Sequence, residues 1–404
     1  MRASPNRPGW NWKSRLSDIA APPRTGHNAT LAAMVLARVA FGYQLQTVAS
    51  LGPELRAAFG LEFATLGTLM GIYLFPGVVA AMPSGFLGRR FGDRATIVAG
   101  MALMVIGSLI SAASPGPIGI GAGRVLSGFG AVALTVLQPK AVADRFTGKS
   151  FTTAMGVLIG AFPIGIGLGQ ISHAPLAHAF GWQAAFLAGA AMAAAAMVVC
   201  LVSWTNLPGS ASSRAMHWPS RREIIRLTLA GLIWTSFNAG YFNFLGYLPS
   251  VMAARGHPTW MTDIVIGMAT WGNLPTMVFG GAIAGRWFGP VPVFLAGAVL
   301  EAITVAGMGV LDWPLIWGVL FGTVASMHAG IIVGWGALSA RPENRAVGMG
   351  IFYTTYYLGG TIVPALCGRA ADYVGNASGA FVCAGVLSAM AVPFWWLHRR
   401  MREE

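Results

Sequence analysis

Two arginines stand where an arginine is costly. Arg38 lies about halfway along an apolar run, 29–50, and Arg124 about two turns into another, 117–138. A charge at the centre of such a run costs roughly 2.5–3.5 kcal/mol on membrane-insertion scales, so it is rare and usually marks function. A guanidinium stays charged and presents a planar fork of donors that fits a carboxylate through paired hydrogen bonds. No acid in the apolar runs of the first half answers either cation, since Glu54, Glu62 and Asp144 all fall between runs. Two unanswered cations predict an anionic ligand. The structural alternative, still open here, is that either arginine bonds backbone carbonyls of a neighbouring helix.

Helical spacing groups further polar residues with them. At about 100° per residue, Arg124, Ser127, Gly128, Ala131, Thr135 and Gln138 share one stripe. Arg38, Gly42 and Gln46 share a looser one. The second half offers neutral and aromatic groups instead: Trp234, Asn238 and Tyr241 on one stripe, Tyr353, Tyr356, Tyr357 and Gly360 on another, and Trp271, Asn273 and His328 elsewhere. Aromatic stripes pack helices more often than they line sites. His328 can exchange a proton near neutral pH, although a lone histidine in an apolar run is at least as often a packing residue. Glu301 is the acid clearly inside a run, and a structural or lipid-edge place is expected for it. The sequence shows no paired His/acid metal set and no Ser/His or paired-acid constellation within the runs, so no metal, cofactor or intramembrane enzyme chemistry is expected.

The elements that must position these residues are membrane spans. The chain has 404 residues, 55% hydrophobic and only 10% charged, against roughly 25% charged for a soluble domain. About 20 apolar residues of helix match the hydrocarbon thickness of a bilayer. Twelve runs qualify: 29–50, 64–87, 95–113, 117–138, 151–171, 183–204, 226–249, 262–284, 292–311, 315–338, 347–367 and 377–397. They are spans 1 to 12. The longest internal polar stretch, 206–225, is read as a linker between two six-helix bundles, 29–205 and 226–397, with tails at 1–28 and 398–404. The Met1–His27 stretch is polar, basic and rich in Pro, and reads as a cytoplasmic tail rather than a signal peptide. The expected fold is therefore all-α, with twelve transmembrane helices in two pseudo-symmetric bundles.

The net charge of +13 does not point to nucleic acid, because the basic residues form short clusters between runs rather than one face. Of the 26 Lys and Arg, Arg56, Arg255 and Arg369 fall in loops on one side, Arg38 and Arg124 lie within spans, and the other 21 fall in the tails and loops of the opposite side. That asymmetry places both termini in the cytoplasm. The most charged turn, Gly85-Phe86-Leu87-Gly88-Arg89-Arg90-Phe91-Gly92-Asp93-Arg94, joins spans 2 and 3. It is echoed at the end of span 8 by Gly281-Ala282-Ile283-Ala284-Gly285-Arg286-Trp287. Such internal repeats characterise secondary transporters, whose sites lie at the repeat interface.

The chain resembles the major facilitator superfamily over nearly its whole length. The Gly85–Arg94 turn is similar to that family's loop between helices 2 and 3. Arg124-Val125-Leu126-Ser127-Gly128-Phe129-Gly130 resembles its helix-4 pattern, Gly181-Trp182-Gln183-Ala184-Ala185-Phe186 its entry to helix 6, and Gly368-Arg369-Ala370-Ala371-Asp372-Tyr373-Val374-Gly375 the end of its helix 11. The turn departs in one respect: Arg89 stands where the family has an acid and Asp93 where it has a base, so a loop salt bridge of reversed polarity is expected. Gly160-Ala161-Phe162-Pro163-Ile164-Gly165-Ile166-Gly167 matches the drug/proton antiporter motif only loosely, and Val136-Leu137-Gln138-Pro139-Lys140 with Asp144-Arg145-Phe146 is similar to the cyanate/nitroimidazole-type permeases.

The resemblance implies alternating access around a cavity between helices 1, 4, 7 and 10. Substrate contacts are expected from Arg38, Gln46, Arg124, Thr135 and Gln138 in the first half, and from Asn238, Tyr241, Asn273, His328, Tyr353 and Tyr356 in the second. Gating is expected from Gly85, Arg89, Arg90, Gly92, Asp93, Arg94, Gly281 and Arg286. The function expected is secondary active transport of a small organic or inorganic anion, coupled to an ion gradient with protons as the candidate ion, in a bacterial inner (plasma) membrane. Its partners are the small-molecule substrate and the lipid bilayer. Efflux of a hydrophobic compound by proton antiport is the alternative.

Overall fold

The computed structural model describes residues 25–204, 218–273, 275–276, 283–341 and 345–403. Regular structure among them is helical, as expected of a chain whose backbone must be satisfied within each spanning segment. All twelve expected spans are present. Six are single helices that overlap their expected runs: Thr25–Ser50, Asp93–Ala113, Pro117–Ala143, Gly148–Phe180, Gln183–Ser203 and Pro290–Val310 are spans 1, 3, 4, 5, 6 and 9. Spans 7 and 11 are Arg221–Ala254 and Arg345–Val374.

Span 7 starts earlier than expected, at Arg221 instead of 226. The cause is a capping box: Glu223 N–H donates to the Ser220 hydroxyl at 3.3 Å, and Ser220 N–H donates to Glu223 Oε2 at 2.8 Å. Two amides without intrahelical partners are thereby satisfied. Residues 221–225 of the expected linker are therefore helix, and residues 206–217 of it lie outside the described residues.

Three spans are broken. Span 2 is Phe63–Gly71 and Pro76–Phe91, because Pro76 has no N–H to donate to the preceding turn. Span 12 is Ser378–Ala389 and Ala391–Glu403. Span 10 is Pro314–Leu320, a π-helical segment Phe321–Ala325, and Ala329–Leu338, with His328 at the restart. Span 8 begins as Thr259–Trp271. Among the described residues nine helices are long and apolar enough to cross a membrane. Spans 7 and 11 fall outside that set because they carry the Asn, Thr and Tyr that face the interior.

At the turn between spans 2 and 3, Gly92 has φ +87° and Asp93 opens the next helix. The expected reversed salt bridge is not made. Arg89 instead lies over the Phe86 ring at 4.5 Å, and Asp93 accepts from Lys140 at 2.7 Å, with Asp144 3.1 Å from the same ammonium. The nearer partner is Lys140, at the end of span 4. Of the echo in span 8, Gly281 lies outside the described residues and Arg286 falls in a second π segment, Ala284–Phe288.

At the end opposite these basic turns the two halves are tied together. Asp372 of span 11 caps the start of span 2, accepting from Phe63 N–H at 2.7 Å and Ala64 N–H at 2.8 Å. Tyr247 of span 7 donates to the carbonyls of Phe63 and Pro364 at 3.1 and 2.7 Å. Gln170 of span 5 donates to Asp263 of span 8 at 3.1 Å.

Candidate functional site

Midway between the ends, the halves face each other across half-buried polar and aromatic side chains. Arg38, Thr135 and Phe162 come from the first half, and Trp234, Tyr353 and Tyr356 from the second. Their partial exposure, between helices that are otherwise buried against one another, leaves these side chains incompletely packed where the halves meet.

Arg38 is the charge among them. Its Nη1 donates to the Thr135 hydroxyl at 3.2 Å, and Thr135 in turn donates to the Ala131 carbonyl at 2.9 Å. Its Nε is buried with no hydrogen-bond partner among the described residues. The guanidinium lies 5.4 Å from the Phe41 ring and 5.8 Å from that of Phe162. Such cation–π contacts are worth about 0.5–2 kcal/mol and hold the fork's plane without using its donors. The phenols of Tyr353, Tyr356 and Tyr357 lie near Arg38, and Tyr357 also approaches Thr135. Trp234 stands 6.3 Å from Tyr356, and Tyr353 meets Tyr356 edge-on at 6.5 Å. The arrangement offers a planar cation with unused donors, phenol hydroxyls opposite it and aromatic walls around both.

Arg124 is placed quite differently. It is 2% exposed, and it donates to the carbonyls of Gln44, Leu45 and Met70 at 3.2, 3.3 and 3.3 Å. Its guanidinium also lies 4.8 Å from the Tyr73 ring. It clamps spans 1, 2 and 4 together, so the structure places this expected contact away from Arg38 and with its donors engaged by backbone.

Three more of the expected contacts are likewise buried. Gln46 is buried near the tied end, where it donates to Gln170 at 3.0 Å beside Ser50, which also donates to Gln170 at 2.9 Å. Gln138 is fully buried and donates to the Met34 carbonyl at 3.0 Å. His328 is fully buried inside the second half, 3.3 Å from Glu301. The lipid-edge place expected for Glu301 is corrected: it is 1% exposed and packs toward spans 7, 10 and 12. Asn238 spends its amide on the Trp234 carbonyl at 2.7 Å. Tyr241 lies beside Asn273, both nearly buried, in an aromatic stack with Phe237 and Phe321.

The structure thus brings together Arg38, Thr135, Tyr353 and Tyr356 among the expected residues, and adds Phe41, Phe162 and Tyr357. The added three carried a sequence signal only in part: Tyr357 shares the Tyr353–Tyr356 stripe, whereas Phe41 and Phe162 read as ordinary apolar positions.

Comparison with known proteins agrees with this architecture. Residues 34–364 match the family described as Major Facilitator Superfamily. The chain is 26% identical over 356 residues to the inner membrane transport protein YajR of Escherichia coli (strain K12), covering 82% of this chain and 74% of that protein. It is also 26% identical over 367 residues to the 2-nitroimidazole transporter of the same organism, covering 84% and 87%. Among solved structures, the partially occluded inward open conformation of the E. coli xylose transporter XylE superposes with a TM-score of 0.75 at 17% identity, covering 93% of this chain and 98% of that one. An inward-facing bacterial homolog of the human lysosomal transporter Spinster gives 0.72 at 14% identity, covering 95% and 98%.

Proposed function

The chain belongs to the major facilitator superfamily, a family of multi-pass membrane transporters, and on that footing we propose that it moves a small organic anion across the membrane with Arg38 as the anion's anchor. The observation that supports this most is the half-used guanidinium of Arg38. One nitrogen is spent on Thr135, Nε is buried without a partner among the described residues, and none of the described ion pairs includes Arg38. An arriving carboxylate would take up the remaining donors, at about 1.5–3 kcal/mol for each charged hydrogen bond. Tyr353 and Tyr356 would add neutral donors, and the aromatic walls would exclude water and strengthen the pairing.

Alternating access supplies the movement. The ties made by Asp372, Tyr247 and Gln170 close one end, so the anion meets Arg38 from the basic end, which the charge asymmetry assigns to the cytoplasm. Exchange of those ties for contacts around the Gly85–Arg94 turn would expose Arg38 to the other side. The Asp93–Lys140 pair and the arginines Arg89, Arg90 and Arg94 are the groups placed to make them. The driving energy is an ion gradient, with protons as the coupling ion.

A second reading, efflux of a hydrophobic compound, draws on the aromatic wall of Trp234, Tyr353 and Tyr356 and on the likeness to a 2-nitroimidazole transporter. Uptake into proteoliposomes separates the two. Labelled aliphatic and aromatic carboxylates should be carried saturably, and Arg38→Ala should reduce that uptake. Transport of hydrophobic cations in place of carboxylates, insensitive to Arg38→Ala, would transfer the assignment to efflux.

A further inference from the structure

The second half buries an acid and a histidine against each other, and the anion reading uses neither. Glu301 and His328 are 1% and 0% exposed, and Oε2 lies 3.3 Å from Nε2. The second carboxylate oxygen, Oε1, has no hydrogen-bond partner among the described residues. The helices around them leave room for these groups and little else. A Cβ at Gly240 of span 7 would collide with Glu301 Oε1, and a Cβ at Gly297 of span 9 would stand 2.6 Å from His328 Nδ1. The imidazole meets Phe237 and Phe294 edge-on at 5.3 and 5.7 Å, and Ser388 of span 12 closes the remaining side by Gly240. Phe237, Phe294 and Ser388 do not ionise in water's range, and Tyr241 stacks on Phe237 at 6.2 Å.

A dry pocket tolerates net charge poorly. With no proton between them, the two groups leave one bare carboxylate. With two protons they are cationic. With one they are neutral overall, whichever group carries it, so the one-proton state fits this packing. Removing that proton requires water to reach the carboxylate. His328 stands at the restart of span 10, just after the π segment Phe321–Ala325, where the helical ladder is already interrupted. Interrupted ladders open more cheaply than continuous ones, and π segments recur at functional sites.

The geometry points to a proton-binding site in the second half, in which Glu301 and His328 jointly hold one proton taken from water and return it to water when span 10 opens at its π segment. No bond other than those to the proton is made or broken, and no co-reactant is needed. The site stands on its own observations and does not depend on Arg38 or on any substrate.

The test uses substrate-free protein in lipid nanodiscs. Infrared difference spectra between acid and alkaline pH should show a carboxylic C=O band that is absent in Glu301→Gln. His328→Gln should move the midpoint of that band by one pH unit or more, a tenfold change in proton affinity. A band that survives in Glu301→Gln, or a midpoint unmoved by His328→Gln, would overturn the proposal. Should Glu301→Gln fail to fold, a hydrophobic carbodiimide applied to wild type decides, since it modifies protonated buried carboxyls. Modification mapped to Glu301 that fades as pH rises, with its midpoint displaced in His328→Gln, supports the site, and an unmodified Glu301 at acid pH contradicts it.

Discussion

Arg38 and Arg124 lie in the same six-helix half, and their surroundings differ in one respect that decides their roles. Arg124 spends its guanidinium on three backbone carbonyls from two neighbouring spans and is shut away from water. Arg38 makes one side-chain hydrogen bond and is half-buried among the aromatic side chains between the halves, while a buried Nε without a hydrogen-bond partner among the described residues is common to both arginines. An intramembrane charge is thus not functional merely by being there. What matters is whether the protein has already used its donors. The same contrast recurs between two acids at the tied end. Asp372 has both oxygens satisfied by backbone amides, whereas Glu54 keeps one buried oxygen without a partner.

The comparison breaks first at Arg124 if it is mistaken. Arg124→Ala removes three hydrogen bonds from a buried cation to backbone carbonyls, at about 1–3 kcal/mol each and less than additively. A loss of about 3–5 kcal/mol is expected, read as a large drop in the unfolding temperature in detergent. An unchanged melt would show that the clamp is not structural. Arg38→Ala should behave in the opposite way. Carboxylate uptake should fall about 10- to 100-fold, corresponding to the loss of one charged hydrogen-bond pair, while the melt stays within about 1 kcal/mol of wild type. Arg38→Lys sharpens the point, because an ammonium keeps the charge but not the fork. Uptake intermediate between wild type and Arg38→Ala is expected.

Smaller effects follow at the tied end. Asp372→Asn removes one of two carboxylate acceptors at the start of span 2 and should cost about 1 kcal/mol. Amide exchange at Phe63 and Ala64 should quicken, and unchanged exchange there would remove Asp372 from the closure. The smallest effect concerns Glu54. Burial pushes its carboxyl above the ordinary range, with its own backbone amide and His178 pulling partly back. A folded-state value above the unfolded one means that its contribution is fully present below the unfolded pKa and is lost as pH rises through the folded one. Glu54→Gln should therefore raise the melting temperature slightly at neutral pH and leave it unchanged at strongly acid pH. The reverse order would show that His178 outweighs burial.

Much of this molecule is legible in its sequence. The twelve apolar runs announce the spans, and Pro76 announces the break in span 2 through its missing N–H. Ser220 and Glu223 spell the capping box that starts span 7 at Arg221, five residues before its apolar run begins at 226. The site is harder. Spacing along span 4 puts Arg124 and Thr135 on one stripe, but only the packing of spans 1 and 2 against it shows that Arg124 reaches the carbonyls of Gln44 and Met70 while Thr135 meets Arg38. The meeting of Glu301 with His328 is illegible for the same reason. It joins two spans through a backbone irregularity at Phe321–Ala325 that contains no proline to betray it.

The central claim is that Arg38, and not Arg124, holds the transported anion. The most direct measurement is binding of labelled carboxylates to purified protein, by scintillation proximity, for wild type, Arg38→Ala and Arg124→Lys, each first shown to be folded by its melt. The account predicts saturable binding in wild type, retention in whatever fraction of Arg124→Lys is folded, and loss in Arg38→Ala. Full binding in folded Arg38→Ala, with loss in folded Arg124→Lys, would contradict it.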